Sequence, residues 1–281
     1  MEVRAHTDPD GFRAAIDTWY SADPVRHTLA LSVMARFLDD PAISAVMLTV
    51  HDAGGGLAGA ALRTPPWPLI ISGLPAGAHP PVAAALVDLD PELPGVTGPR
   101  ELAESFAAAW AGRTGAGLDE ALASRLYELD ELHPPTVPGG RRFATEADLP
   151  LLLRWRLEFQ AEAIGHTRGV GQVGEQLRRG LAGGDGLLLW ERDGQDVSMA
   201  SANLPVAGMS RVMSVYTPPE LRGHGYGSAV TAAASRWARD AGAKHVLLFT
   251  DLANPTSNSI YRKIGYREVF DTCEIEFTPA P

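Results

Sequence analysis

The chain has 281 residues, a formal net charge of −10 and a pI near 5.3, with 45% hydrophobic residues. That length suits two ordinary domains better than one. The acidic balance argues against nucleic acid as a partner and mildly favours an amine-bearing substrate. No run approaches eighteen apolar residues, so no membrane span is expected, and the start Met-Glu-Val-Arg-Ala-His lacks a signal-peptide pattern. The single cysteine, Cys273, excludes an internal disulfide framework and suits a reducing cytoplasm; it reads as a small core or surface residue.

In chain order, Asp10–Tyr20 and Arg26–Leu38 have helical spacing. Ala45–His51 and Ala58–Arg63 read as strands joined by the turn Gly54-Gly55-Gly56, and Leu69–Ser72 as a third, short strand. Helices follow over Pro81–Leu89 and Pro99–Gly112, then a strand over Leu118–Leu132, giving the order ααβββααβ. The segment 133–140, with three prolines and two glycines, blocks helix and central strand. It predicts a linker, 134–140, between domains 1–133 and 141–281.

After the linker, Arg141–Ala144 is a short strand and Thr145 an N-cap. Helices run through Leu149–Phe159 and Val173–Leu181. Leu187–Glu191 and Val197–Leu204 form a hairpin around Asp193-Gly194. Arg211–Tyr216 is a strand, Gly225–Ala241 a helix, His245–Phe249 a buried strand, Thr256–Ile264 a short helix and Tyr266–Phe277 a closing strand. This order, βααβββαβαβ, makes the N-terminal half a degenerate duplicate of the C-terminal half. The fold class is α/β, two mixed, mostly antiparallel sheets flanked by helices.

The sharpest motif is Arg222-Gly223-His224-Gly225-Tyr226-Gly227, set between a strand and a helix. Alternate glycines admit positive φ, so backbone N–H groups can converge on an anion at the helix N-terminus. A diphosphate fits. No Gly-Lys-Ser/Thr follows, and the spacing is not G-x-G-x-x-G, which sets aside Walker and dinucleotide loops. The second motif runs from Asn254 through Ser257 and Tyr261 to Gly265-Tyr266. Taken alone, Asn254 is a helix cap and Tyr261 a core residue.

Together, Val215, the Arg-Gly-x-Gly-x-Gly loop, Asn254, Ser257, Tyr261 and Gly265-Tyr266 resemble the GCN5-related N-acetyltransferase (GNAT) family over about 141–277. The run Tyr216-Thr217-Pro218-Pro219-Glu220-Leu221-Arg222-Gly223 in a tandem chain resembles its FR47-like branch. The resemblance implies a pantetheine arm between the strands ending at Tyr216 and at Phe249. Met213–Val215 would hold that arm, and Val215 would polarise the thioester carbonyl. The backbone N–H groups of Arg222, Gly223, His224, Gly225, Tyr226 and Gly227 would bind the diphosphate. Asn254 and Ser257 would contact the cofactor, and Tyr261 would protonate the leaving thiolate. It implies acetyl-CoA as donor, a small-molecule amine as acceptor, direct attack in a ternary complex, and no metal; the eight histidines are scattered and form no helical pair.

The family's base glutamate is missing from Met209–Tyr216. Glu158, Glu162 and His166 are the candidate replacements, with Glu220 a structural residue. The acceptor loops are 163–174 and 203–210. In the N-terminal half the corresponding junction, Gly73–Pro81, has three prolines and lacks donors for a diphosphate. A longer-chain acyl-CoA donor, a protein amine acceptor, or a non-catalytic CoA-binding module are the alternative readings. Neither the acceptor nor the oligomeric state is legible.

Overall fold

A computed structural model describes residues 1–38, 43–163 and 169–279. It divides into two compact units: unit 1, Met1–Ser124 with Phe270–Pro281, and unit 2, Arg125–Val269.

Unit 1 runs β1 (Glu2–His6), α1 (Pro9–Ser21), α2 (Thr28–Phe37), β2 (Val46–His51), β3 (Leu57–Arg63), β4 (Leu69–Ile70), α3 (His79–Leu89), β5 (Gly95–Pro99), α4 (Arg100–Thr114) and the first part of β6 (Gly117–Leu129). Its sheet is closed by the C-terminal part of β12 (Tyr266–Thr278), with Thr272–Glu276 antiparallel to β5; the order is β1-β2-β3-β4-β5-β12-β6. Asp8 caps α1 by accepting from the Asp10 and Gly11 N–H groups, and Phe12, Ile16 and Tyr20, spaced by one turn, bury its inner face. The core gathers Leu48, Val50, Leu69, Ile71, Phe106 and Trp110 with Cys273 and Ile275 of β12. Burial pushes the Cys273 thiol up to about 11, which keeps it an inert core residue.

Two strands missing from the expected ααβββααβ order are present, β1 and β5. The first is short, polar and largely exposed; the second, Gly-Val-Thr-Gly-Pro, has turn composition but is held by antiparallel pairing to β12. With them unit 1 reads βααβββαβαβ, the order of unit 2.

Unit 2 takes the end of β6 and continues with β7 (Gly140–Phe143), α5 (Leu149–Ala163), α6 (Val170–Ala182), β8 (Gly186–Arg192), β9 (Gln195–Ala202), β10 (Met209–Tyr216), α7 (Tyr226–Asp240), β11 (His245–Asp251), α8 (Pro255–Lys263) and the start of β12. Strand order is β12-β6-β11-β10-β9-β8-β7. The β8–β9 hairpin turns at Asp193 (φ 52°) and Gly194 (φ 77°), the two positive values its tight turn requires. Thr145 and Asp148 form a capping box ahead of α5. The core joins Tyr127 and Leu129 of β6 to Leu188, Val212, Val230, Val246, Leu248 and Tyr261.

The segment 134–140 is not the boundary between the compact units. It lies inside unit 2, where the Trp190 indole N–H donates to the Pro138 carbonyl (3.1 Å). The divisions fall within β6 and β12 instead, because each of these 13-residue strands contributes residues to both units.

Candidate active site

The site in unit 2 begins with an irregularity in β10. Val212 and Met213 face Ala202 and Ser201 on β9, yet the next partnered residue, Tyr216, faces Met199. One extra residue is thus inserted on β10, and Ser214 there has φ +56°. On its other side β10 pairs with β11 in parallel only from Met209 to Arg211. Met213–Val215 therefore leave the β11 ladder while the strands run on, exposing backbone donors and acceptors that need partners. The bulge is held by side chains: Ser201 Oγ donates to the Met213 carbonyl (3.1 Å) and Ser198 Oγ to the Tyr216 carbonyl (2.8 Å). Val215 packs against the unit 2 core. A cavity of about 20 Å³, lined by Leu152, Leu177, Leu187, Met199 and Ser214 among others, sits beside the bulge.

The glycine loop connects β10 to α7. Gly223 and Gly225 both have φ +82°, which L side chains adopt only with strain. Gly227 is helical, and a Cβ there would meet nothing closer than Thr217 Oγ1 at 3.4 Å. Neither conformation nor crowding demands glycine at 227; its lack of a side chain leaves the start of α7 open to close approach. The first donor of this stretch with a backbone acceptor is Ala229, bonded to Gly225 O (3.0 Å). Among the described residues, the N–H groups of Gly223 to Ser228 have no acceptor in the protein. They combine with the helix dipole to favour an anion.

The side chains of the loop face elsewhere. The Tyr226 ring is buried, and its hydroxyl accepts from Arg192 Nη1 (2.6 Å). His224 is exposed and stacks on Tyr226 with ring centroids 5.5 Å apart. Arg222 turns toward α5: its Nη2 donates to Glu162 Oε2 (2.6 Å), its Nε to the Thr217 carbonyl (2.9 Å), and its guanidinium lies 5.9 Å from the Tyr216 ring centre. The Arg222 N–H, expected on the diphosphate with those of 223–227, donates instead to the Pro219 carbonyl (3.3 Å) because it closes the turn before the loop, and its side chain is engaged with a carboxylate.

On α8, Asn254 is the helix cap, Oδ1 accepting from the Ser257 N–H (2.9 Å). Tyr261 sits two turns later, buried between Tyr127 and Tyr266 with ring centroids 6.3 and 6.1 Å away. Burial raises its hydroxyl to about 12, while a hydrogen bond from the Ser257 side chain works the other way. Ser257 thus serves α8 and Tyr261 within the protein.

Two of the three base candidates come together. Glu158 and Glu162, one turn apart on α5, both reach the Tyr216 hydroxyl, which is 3.5 Å from Glu162 Oε1. Burial and the hydrogen bond to Glu158 push that hydroxyl well above the usual tyrosine range. Tyr216 is two residues past Ser214, so this carboxylate pair stands beside the bulge. His166 lies outside the described residues, as does part of the 163–174 loop. Glu220 is exposed on the turn before Arg222. Ser214 and Tyr216 escaped the sequence reading: a positive φ at serine has no residue signature, and Tyr216 looks like any strand aromatic.

The group Glu104, Glu120 and Cys273 in unit 1 has the spacing of a metal site. Arg100 already bonds both carboxylates, at 3.1 and 2.6 Å. No helix among the described residues is long and apolar enough to cross a membrane.

The model of the Acetyltransferase (GNAT) family matches residues 153–266, the span that holds the bulge, the glycine loop and Tyr261. Residues 153–266 thus carry the features of a GNAT acetyltransferase domain. It is similar in fold to a tandem GNAT protein from the clavulanic acid biosynthesis pathway, with 14% identity over 100% of this chain and 98% of that one and a TM-score of 0.61. It is also similar to a GCN5-related N-acetyltransferase from Sphaerobacter thermophilus (16% identity, 99% and 95% covered, TM-score 0.64) and to a GNAT acetyltransferase from Colwellia psychrerythraea (12%, 99% and 99%, 0.62). No curated protein matches the chain.

Proposed function

We propose that the protein is an N-acetyltransferase that moves an acetyl group from acetyl-CoA to a primary amine of a small molecule, by direct attack in a ternary complex. The observation that carries this reading is the conjunction in unit 2 of an open, acceptor-free N–H cradle at the start of α7 with a bulged strand whose ladder to β11 ends at Arg211.

The N–H groups of Gly223–Ser228 hold the donor's diphosphate. Asn254 and the backbone of Met213–Val215 line the pantetheine arm, with a Val215-side N–H donating to the thioester oxygen as negative charge develops on it. The cavity beside Ser214, lined by Leu152, Leu177, Leu187 and Met199, offers an apolar seat for the acyl group. The acceptor enters on the α5 side, where Glu158 and Glu162 attract an ammonium group and take its proton through Tyr216 or water. The amine nitrogen then bonds to the acyl carbon, the carbon–sulfur bond breaks, and the thiolate takes the Tyr261 proton. A tyrosine held at about 12 stays protonated throughout the physiological range, as an acid in this step must.

Calorimetric titration with acetyl-CoA, beside Gly225→Pro, tests the reading. Micromolar binding that the variant loses, with free thiol released on adding amines, supports it. Binding without release by any amine leaves a CoA-binding module, and absence of binding to acetyl-CoA and longer acyl-CoAs overturns the assignment.

A further inference from the structure

Arg222 opens the phosphate cradle by sequence but points its charge at the acceptor side. Its guanidinium is bound to Glu162 and to the Thr217 carbonyl, and Glu162 in turn reaches the Tyr216 hydroxyl that Glu158 also approaches. One cation thus lies among two carboxylates beside the bulge. The pair is half-exposed, at 48% and 45% of the side-chain surface, and exposed ion pairs of this kind are weakly held. A diphosphate offers the same guanidinium bidentate, charge-assisted bonds. The Cα of Arg222 already begins the loop, so changing partners needs new side-chain rotamers and no movement of the backbone.

We propose that Arg222 exchanges partners during the reaction cycle: Glu162 holds it in the conformation seen here, and the donor's diphosphate draws it away when the donor binds. The exchange rests on the acetyl-CoA reading above and couples the two halves of the site. Once Arg222 leaves, Glu158 and Glu162 face Tyr216 without its charge, and the seat for a cationic amine is uncovered only after the donor has arrived. Glu162 is then a competitor of the donor for Arg222, and Arg222 a positioning residue for the acceptor.

A double-substitution cycle read by calorimetry with acetyl-CoA tests this. Glu162→Gln is expected to tighten acetyl-CoA binding about two- to fivefold, the strength of an exposed ion pair released from competition. Arg222→Gln is expected to weaken it. In the Arg222→Gln background, Glu162→Gln is expected to change nothing. An effect of Glu162→Gln that persists without Arg222 would be a simple field effect of a nearby carboxylate on a polyanion, and would overturn the exchange. So would unchanged or weaker binding by Glu162→Gln alone. Glu220→Gln, a substitution of the carboxylate just before Arg222, calibrates the field effect, and thermal melts verify that each variant folds. Failure of the wild type to bind any acyl-CoA would instead remove the reading on which the exchange rests.

Discussion

The hydroxyl of Tyr127 donates to Asn258 Oδ1 at 2.8 Å, joining the end of β6 to α8 across 131 residues of chain. Asn258 is buried and spends its amide donors on the Asp251 and Asn254 carbonyls, at 2.9 and 2.7 Å. The tyrosine therefore completes the network that fixes the helix carrying Tyr261. Tyr127→Phe leaves Oδ1 buried without its donor, and an unmade buried hydrogen bond costs about 1–3 kcal/mol. Urea unfolding is expected to show a lower midpoint with an unchanged slope. A fragment starting at residue 134 loses Tyr127 and Leu129 together, and its circular dichroism melt is expected to lack a cooperative transition.

Gly227 separates binding from stability. Gly227→Leu replaces a poor helix former with a good one, so stability is expected to hold within about 1 kcal/mol of the wild type. The added side chain meets whatever approaches the start of α7. Acetyl-CoA affinity is expected to fall more than tenfold by calorimetry, with the thermal midpoint nearly unchanged.

Tyr261→Phe keeps the ring between Tyr127 and Tyr266 and removes the proton donor. The expected result is a kcat lower by roughly ten- to a hundredfold with little change in KM for acetyl-CoA, in line with loss of general acid catalysis. Equal loss of donor affinity would assign the hydroxyl to binding.

Unit 1 holds a pH-sensitive group of its own. His27 is buried, with Nδ1 3.1 Å from Ser72 Oγ, and desolvation lowers it to about 4. The folded imidazole resists protonation while the unfolded one accepts a proton near 6.5. The stabilisation is complete above 6.5 and is lost as pH falls toward 4, by roughly 3 kcal/mol at most. Melts between pH 7 and 4 are expected to fall more steeply for the wild type than for His27→Gln.

The glycine loop was legible in the sequence because glycine at 223 and 225 answers a backbone requirement, φ +82° at both. Asn254 as a helix cap and Tyr261 as a core residue were legible from the residues alone, and the element order of the C-terminal half followed from apolar spacing. The exchange of strand segments was not legible. Periodicity marks β6 and β12 as strands, but no local signal says which sheet a strand joins, and the compact units divide within these strands while the proline-rich signal lies at 134–140. The contacts among Glu158, Glu162, Tyr216 and Arg222 are equally non-local: 60 residues separate Glu162 from Arg222, and only the packing of α5 on β10 brings them together.

The place of β12 in unit 1 bears on how the protein is made. Domains emerging from a ribosome ordinarily fold in turn, the earlier before the later. Here the sheet beginning at β1 lacks the neighbour of β5 until residues 272–276 have been synthesised. Unit 2, Arg125–Val269, must be translated in between, which at about 5–20 residues per second takes on the order of ten seconds. Throughout that interval the β5 edge is without its final partner, and unit 1 is completed only after all of unit 2 has been synthesised.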